Sequence, residues 1–175
     1  ALYRFCALKA LENKNTYNIK FIKKIANSIT LKKLQNKKLY SPEVAKLSSI
    51  IAKKPYVRKA LKGFQINFIK KSKLVVVEGR DIGTVVFPDA KVKFFLRADL
   101  DIRTRRRNTQ IEENNISFDT KKVEDNLIKR DKTDSERKIA PLKKPNDAFE
   151  IDTSKKSELE VFNIAKNYID SNLEF

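Results

Sequence analysis

Arginine and aspartate side chains recur in two stretches of the chain, in patterns that suit the binding of an anion. Arg80 and Asp81 come shortly after the apolar run LVVV, while Arg130, Asp134 and Arg137 are spaced i, i+4 and i+7 and would share one face of a helix. A guanidinium offers paired donors to phosphate and stays charged at any working pH. A carboxylate beside it can accept a hydrogen bond from the same ligand. At Arg80 and Asp81 the residue types therefore suit a phosphate-binding site, while the spacing of Arg130, Asp134 and Arg137 predicts only that they face the same way.

Purely structural roles are the alternative for both patterns. An ion pair between Arg80 and Asp81 would tie down a surface turn, and alternating charges along a helix face would stabilise that helix by about 0.2–0.5 kcal/mol per pair. Residue types and spacing alone leave the choice open.

Two apolar runs predict the strands that would position Arg80 and Asp81. Residues 74–78 and 92–96 are continuous apolar stretches bounded by turn signals, which is typical of parallel strands covered on both faces. The predicted fold class is therefore α/β. Open α/β sheets bind ligands at the carboxyl ends of their strands, and Arg80 and Asp81 lie there.

Helices are predicted on both sides of these strands. Apolar residues at helical spacing favour helices over residues 1–12 and 19–29, and a further helix after Pro55. The sequence Ser41-Pro42-Glu43 combines a hydroxyl cap, a proline at the first helical position and an acid in the first turn. Later helices are predicted from Asp99 or Asp101 to about residue 113, over residues 121–132, and after a short strand at 148–152. The last helix has a predicted buried face of Leu159, Phe162, Ala165 and Ile169.

Composition excludes several classes of protein. A chain of 175 residues with 41% hydrophobic residues can form one core, and no apolar run approaches the length that spans a membrane. With no histidine and the single Cys6, neither a zinc site of the usual ligands nor an intrachain disulfide can form. We therefore expect no protein-bound metal, no membrane partner and a reducing, cytoplasmic location.

The net charge of +17 attracts polyanions, so a basic nucleic-acid-binding module is a rival interpretation. Lysines occur in nearly every segment, alongside many asparagines and isoleucines. This distribution favours a compositional bias, with no specific nucleic acid as partner. Four arginines nevertheless crowd the helix predicted after Asp99, where an anionic partner would stabilise them: Arg103, Arg105, Arg106 and Arg107.

Three long motifs resemble the cytidylate kinases, small enzymes that transfer a phosphoryl group from ATP to CMP or dCMP. They are GRDIGTVVFPDAKVKFFL, the stretch IKRDKTDSERKIAPL with its RD-x-x-D-x-x-R-x-x-APL pattern, and DAFEIDTSKKS. The resemblance implies a three-layer P-loop nucleoside monophosphate kinase fold with a parallel sheet. It also implies a single kinase domain over residues 1–175, with a core (1–16 and 70–175), a monophosphate-binding subdomain (17–69) and a lid (106–138).

The resemblance assigns roles in binding CMP to residues that match the family motifs. The acceptor phosphate would be held by Arg4, in the stretch ALYR, and by Arg80 and Arg137. Arg130 and Asp134 would hold the ribose. In the stretch SPEVAKLSSIIAKKPYVRKAL, a serine and an arginine would read the cytosine ring, and an aspartate in the central motif would take its amino group: Ser49, Arg58 and Asp81.

Phosphoryl transfer requires positioning and neutralised charge more than covalent chemistry by the protein. Arg106 and Arg137 are accordingly the catalytic residues that the resemblance implies, with Arg106 in the lid over ATP and the transferred group. One departure is Tyr40. It replaces an arginine that the family commonly has just before the helix predicted to start at Ser41-Pro42-Glu43, and this puts one ligand contact in doubt.

ATP with Mg²⁺ is the phosphoryl donor that the resemblance implies, yet the sequence contains no G-x-x-x-x-G-K-[ST] motif to hold it. In the family that loop precedes the segment to which ALYR belongs. We therefore expect a copy that lacks the first strand and the P-loop, with an incomplete sheet and little kinase activity. A non-catalytic CMP-binding remnant is the alternative. The family's members usually act as monomers, which is the oligomeric state expected here.

Overall fold

The computed structural model describes residues 1–14, 16–70, 74–113 and 119–173. The chain divides into two compact units, residues 1–77 and residues 78–175, called here the first and the second unit. Each unit is described separately. The division into a core, a monophosphate-binding subdomain and a lid stays a prediction.

The first unit is helical. Its described residues form α1 (Leu2–Glu12), α2 (Ile19–Asn27), α3 (Leu31–Leu34), a 3-10 helix (Lys37–Tyr40), α4 (Pro42–Ile51) and α5 (Pro55–Ile69). Side-chain oxygens cap the starts of several of these helices, as the sequence predicts for Ser41, whose hydroxyl accepts from the Val44 amide. Prolines occupy the first turns of both α4 and α5, where a missing N–H has no cost.

The core of the first unit lies between α1, α2, α4 and α5. Phe5 and Leu8 of α1 are buried, as the helical spacing predicts, and they pack with fully buried residues of the other helices such as Ile22, Val44 and Leu61. Burial of this apolar surface is what stabilises short helices that would not form alone in water.

The second unit is a mixed α/β structure. Its described residues form a π-helical turn (Ile82–Val86), β1 (Phe94–Arg97), α6 (Leu100–Glu112), α7 (Thr120–Glu136), β2 (Phe149–Asp152) and α8 (Glu158–Asn172). β1 and β2 pair in parallel, with Phe94 opposite Phe149 and Arg97 opposite Asp152. This parallel pairing confirms the predicted α/β class, and β2 lies within the predicted stretch 148–152.

Aromatic rings attach α8 to one face of this sheet. The Tyr168 ring stacks on Phe149 with centroids 4.3 Å apart, and it meets Phe94 edge to face at 5.5 Å. Such contacts each contribute about 0.5–1.5 kcal/mol beyond the area that they bury. A capping box at Ser157 and Glu160 fixes the start of α8.

The strand predicted over residues 74–78 is wrong. This stretch is irregular, and its Leu74 and Val76 side chains are 70% and 95% exposed. A strand needs backbone hydrogen bonds to a neighbour, and within the described ranges the sheet contains only β1 and β2. The second predicted strand exists but runs from Phe94 to Arg97, so it starts two residues later and ends one residue later than expected.

The buried face predicted for α8 is also partly wrong. Leu159 and Phe162 are exposed, whereas Ala165 and Ile169 are half-buried. Tyr168 supplies the main contact with the sheet instead. The two short strands that the structure describes offer too little surface to cover the first turns of a 15-residue helix.

No helix among the described residues combines the length and the apolar character that crossing a membrane requires.

Candidate functional site

Asp134 is the centre of a cluster of ionic side chains in the second unit. Arg137 Nη1 lies 3.3 Å from its Oδ1, while Arg80 Nε and Arg130 Nε lie 3.0 and 3.8 Å from its Oδ2. Asp134 and Arg137 are mostly buried, with side chains 14% and 12% exposed, whereas Arg80 and Arg130 are more open. Three arginines and an aspartate that the sequence singled out therefore meet in one place.

The end of α7 and the turn after it position this cluster. Arg130 and Asp134 lie in the last two turns of α7, and Arg137 follows directly as its C-cap. The chain then folds back, so that Leu142 donates its backbone N–H to the Asp134 carbonyl at 2.6 Å and Arg137 Nε donates to the Ala140 carbonyl at 2.6 Å. The turn therefore holds both the aspartate and its nearest arginine.

One oxygen of Asp134 remains an available acceptor. Oδ2 is buried and accepts no hydrogen bond within the part of the chain that the structure describes. Arg80 Nε is close enough for an ion pair, but its N–H is not aligned for a hydrogen bond. A buried carboxylate oxygen without a donor is unfavourable by about 1–3 kcal/mol, which a ligand hydroxyl placed there would relieve.

Arg80 and Asp81 lie at the start of the π-helical turn. Asp81 is 7% exposed, and its backbone carbonyl accepts from the Val85 and Val86 amides at 2.9 and 3.2 Å. Gly79 fits tightly here, because a Cβ on it would approach the Ile82 side chain to 2.6 Å. The glycine thus lets the chain turn closely between the irregular stretch and the two ionic residues.

Arg58 is the most enclosed of the predicted site residues in the first unit. It is 9% exposed, donates from Nη1 to the Ala52 carbonyl at 3.0 Å, and lies over the Tyr3 ring at 5.4 Å from the centroid. A guanidinium over an aromatic face is held by the ring's negative quadrupole. Arg58 is therefore ordered by α1 and by the end of α4.

The other two predicted residues of the first unit occupy more open positions. Arg4 donates to the Leu39 carbonyl at 3.1 Å and lies 5.3 Å from the centroid of the Tyr40 ring. Tyr40, which stands in place of the family's usual arginine, is therefore a partner of Arg4. Ser49 is exposed on α4, where its hydroxyl donates to the Lys46 carbonyl at 2.8 Å.

Arg106 is engaged with the turn after β2. It donates to the Thr153 hydroxyl at 2.9 Å and to the Thr153 carbonyl at 2.6 Å. The neighbouring Asp152 accepts from the Ser154 hydroxyl and backbone amide, and these hydrogen bonds hold the pKa of its carboxyl below the usual range. To reach a phosphate group, Arg106 would have to release Thr153.

An ion pair between α6 and α7 was not predicted from the sequence. Arg103 Nη1 lies 2.5 Å from Asp131 Oδ2, with both side chains about one third exposed. In the sequence, Arg103 stands out only as one of four crowded arginines. The signal that could have paired them is the matching of opposite charges on two helices joined by a short connection.

Among the described residues, histidine, cysteine, aspartate and glutamate side chains form no group of three or more that could hold a metal ion. Together with the absence of a P-loop motif from the printed sequence, this means that neither Mg²⁺ ligands nor an ATP phosphate loop can be assigned.

Comparison with known proteins identifies the family. The family model described as Cytidylate kinase matches residues 1–171. A protein of Rickettsia canadensis named Cytidylate kinase is 41% identical over 145 residues, covering 83% of this chain and 66% of the relative. One of Alkaliphilus metalliredigens with the same name is 39% identical over 168 residues, covering 90% and 76%. The matched part thus spans slightly under two thirds of the Rickettsia protein, and the chain belongs to the cytidylate kinase family.

Proposed function

We propose that this protein is a cytidylate kinase, which transfers a phosphoryl group from ATP to CMP or dCMP. The observation that carries the proposal is the convergence of Arg80, Arg130 and Arg137 on Asp134. These residues come from two motifs about fifty positions apart in the sequence, and the sequence alone predicts each of them as a site residue. An ion-paired cluster of this kind keeps guanidinium groups oriented before a ligand arrives.

In the proposed site, Arg80 and Arg137 bind the phosphate of the acceptor nucleotide, with Arg4 as a further phosphate ligand. Their charges neutralise the phosphate oxygens, which lowers the repulsion against a second, incoming phosphoryl group. Arg130 and Asp134 hold the ribose, with Asp134 Oδ2 accepting from a ribose hydroxyl and Arg130 paired with the same carboxylate. Asp134 therefore orients both the sugar and the arginines that surround it.

Base recognition is proposed for Ser49, Arg58 and Asp81. Cytosine offers acceptors at N3 and O2, which suit a hydroxyl and a guanidinium, and a donor at its amino group, which suits a carboxylate. The order already present around Arg58 supports this role, because a pre-oriented guanidinium loses less freedom on binding.

ATP is the proposed donor, and Mg²⁺ would supply charge neutralisation between its phosphates when bound. Arg106 is the proposed contact to the transferred group. Its bonds to Thr153 connect the lid predicted over residues 106–138 to the turn after β2. The three-layer P-loop fold, the monomeric state and the cytoplasmic location belong to the same proposal. Sedimentation equilibrium and cell fractionation would test the last two.

Calorimetric titration of the full chain with CMP tests the acceptor site directly. The informative variant is Asp134→Asn, which keeps the shape of the side chain but removes the charge that holds three arginines. We expect its CMP affinity to fall at least tenfold. The matched control is Asp125→Asn, the same change on an exposed position of the same helix, which should bind CMP as the unchanged protein does.

Two results would contradict the proposal. One is CMP binding that Asp134→Asn leaves unchanged, and the other is no selectivity for CMP over AMP in the unchanged protein. A coupled assay of ADP release with CMP and MgATP then measures turnover, which separates a working kinase from a protein that only binds the acceptor.

A further inference from the structure

The whole excess of positive charge lies in the first unit. Residues 1–77 contain 19 lysines and arginines against two acids, Glu12 and Glu43, which gives a net charge of +17. Residues 78–175 contain 20 basic and 20 acidic residues and are neutral overall. A compositional preference for lysine would act on both units alike, so compositional bias does not explain the difference. An uneven charge of this size indicates an anionic partner for the first unit.

A groove between α2 and α5 lies within this basic unit. Its volume is about 560 Å³, and its walls include Lys23 from α2 and Lys59, Phe64 and Phe68 from α5. All the α5 residues in the lining recur every three to four positions and so form one stripe along the helix: Tyr56, Lys59, Ala60, Gly63, Phe64, Asn67 and Phe68. Residues proposed above to bind CMP do not line the groove, so it is a separate feature of the surface.

The lining of the groove combines positive charge with aromatic surface. Both lysines are exposed, and neither acidic residue of the unit is part of the lining. The rings of Phe64 and Phe68 lie roughly parallel, with centroids 6.2 Å apart, and both are half-buried. Gly63 lies between Lys59 and the two rings along α5. A Cβ there would meet nothing within 4 Å, so the helix backbone is open to the groove at this position.

We propose that this groove binds a single strand of nucleic acid. The lysines would contact the phosphates while bases lie against the two phenylalanine rings, a combination that binds single strands without reading their sequence. An anionic membrane surface is the less favoured partner, because it would require apolar side chains projecting from a basic face. Here the aromatic rings are recessed beside the lysines.

Fluorescence anisotropy of a labelled 15-nucleotide oligouridylate tests the proposal. The full chain should bind it in 50 mM NaCl and release it as salt rises to 200 mM. Reversing the groove charges with Lys23→Glu and Lys59→Glu should weaken binding at least tenfold. It should also lower the slope of log affinity against log salt by about 1.4, at about 0.7 per lost phosphate contact.

Two further variants separate the groove from general electrostatics. The control pair Lys32→Glu and Lys37→Glu makes the same charge change elsewhere in the first unit and should cost less than threefold in affinity. Gly63→Leu fills the groove without changing charge, in a helix where leucine is a better helix former than glycine. We expect it to weaken oligonucleotide binding about tenfold while CMP titration stays unchanged.

Several outcomes would overturn the proposal: no binding at 50 mM NaCl, equal losses in the two charge-reversed pairs, or full binding by Gly63→Leu. If vesicles of anionic phosphatidylglycerol displace the labelled oligonucleotide at a lower concentration than unlabelled oligonucleotide does, the surface is a membrane site instead. If the Lys23/Lys59 variant loses its helical circular dichroism, Gly63→Leu decides alone. Loss of CMP binding in Asp134→Asn leaves this inference untouched, so the two proposals fail separately.

Discussion

Arg137 binds two acceptors that no other cationic side chain could satisfy together. Its Nε donates to the Ala140 carbonyl while its Nη1 reaches Asp134, and the guanidinium is largely buried. Lysine carries one compact ammonium group and cannot reproduce this fork. We therefore expect Arg137→Lys to reduce CMP affinity by about 10- to 100-fold, which corresponds to the loss of one charge-assisted hydrogen bond of about 1.5–3 kcal/mol.

Calorimetry with CMP measures this effect, and Lys138→Arg is the control. It alters a neighbouring exposed cation while leaving Arg137 intact, so its affinity should match that of the unchanged protein. If Arg137→Lys and Lys138→Arg bind CMP equally well, Arg137 acts only as a point charge. The two simultaneous hydrogen bonds of its guanidinium would then not matter for binding.

Cys6 reports on the packing of the first unit. It is fully buried in α1, and burial raises the pKa of its thiol to about 12. The thiolate is the reactive form, so at pH 8 the native thiol should react with a disulfide reagent at least 100-fold more slowly than in the unfolded chain. Absorbance of the released thiol measures the rate. Because Cys6 is the only cysteine, no other thiol of the protein contributes to the signal. Fast reaction in the native protein would show that this core opens readily.

At the level of single elements, the ion pair between Arg103 and Asp131 joins α6 to α7. No residue of α7 among those described is fully buried, so polar contacts contribute much of its positioning. A double-mutant cycle with Arg103→Ala and Asp131→Ala should give a coupling of about 0.5–1 kcal/mol, near the upper end for pairs that solvent partly screens. Urea unfolding measures it.

The control cycle uses Lys166 and Asp170, an exposed pair at i and i+4 on α8 with a 2.7 Å contact. Helix pairs of this type contribute about 0.3–0.5 kcal/mol. CMP affinity should also fall in the Arg103→Ala variant, because α7 carries Asp134, while the α8 variants should bind normally. If the coupling between Arg103 and Asp131 is no larger than that between Lys166 and Asp170, the Arg103–Asp131 pair does not position α7.

Local signals in the sequence predicted most helices, whereas pairing between strands was not predictable. The serine cap before α4 and the proline at its first position act within a few residues, so the start of α4 was predicted correctly. The run at residues 74–78 is apolar enough for a strand, but a strand exists only with a partner. Similarly, the shared face of Arg130, Asp134 and Arg137 followed from helical spacing. Arg80 reaches these three residues through a tertiary contact. Only the resemblance to the family connected Arg80 with them in advance.

The left-handed backbone at Ala140 shows the same limit. Its φ of 51° lets the chain reverse after α7, yet alanine carries no signal for that conformation. The APL motif was recognised as a pattern of the family, while its physical role, folding back onto Asp134, became clear only from the Leu142 hydrogen bond.

At the scale of the whole molecule, the two units differ in how charge affects their stability. Like charges in the first unit repel one another, because +17 is spread over 77 residues with two acids. The second unit is neutral and contains several ion pairs between its elements, such as Arg97 with Asp152 and Arg103 with Asp131. Salt screens repulsion in the first unit and attraction in the second.

Raising NaCl from 10 to 100 mM shortens the screening length from about 30 Å to about 10 Å. Backbone amides of α1, α4 and α5 should therefore exchange hydrogen more slowly at the higher salt. Those of α6 and α7 should be unchanged or exchange faster. Native-state hydrogen exchange with peptide-level mass spectrometry measures both in one sample. Sucrose is the uncharged control, since it should protect both units alike. Equal responses of the two units to NaCl would mean that the uneven charge has no bearing on stability, and that hydrophobic burial alone sets the opening of the first unit.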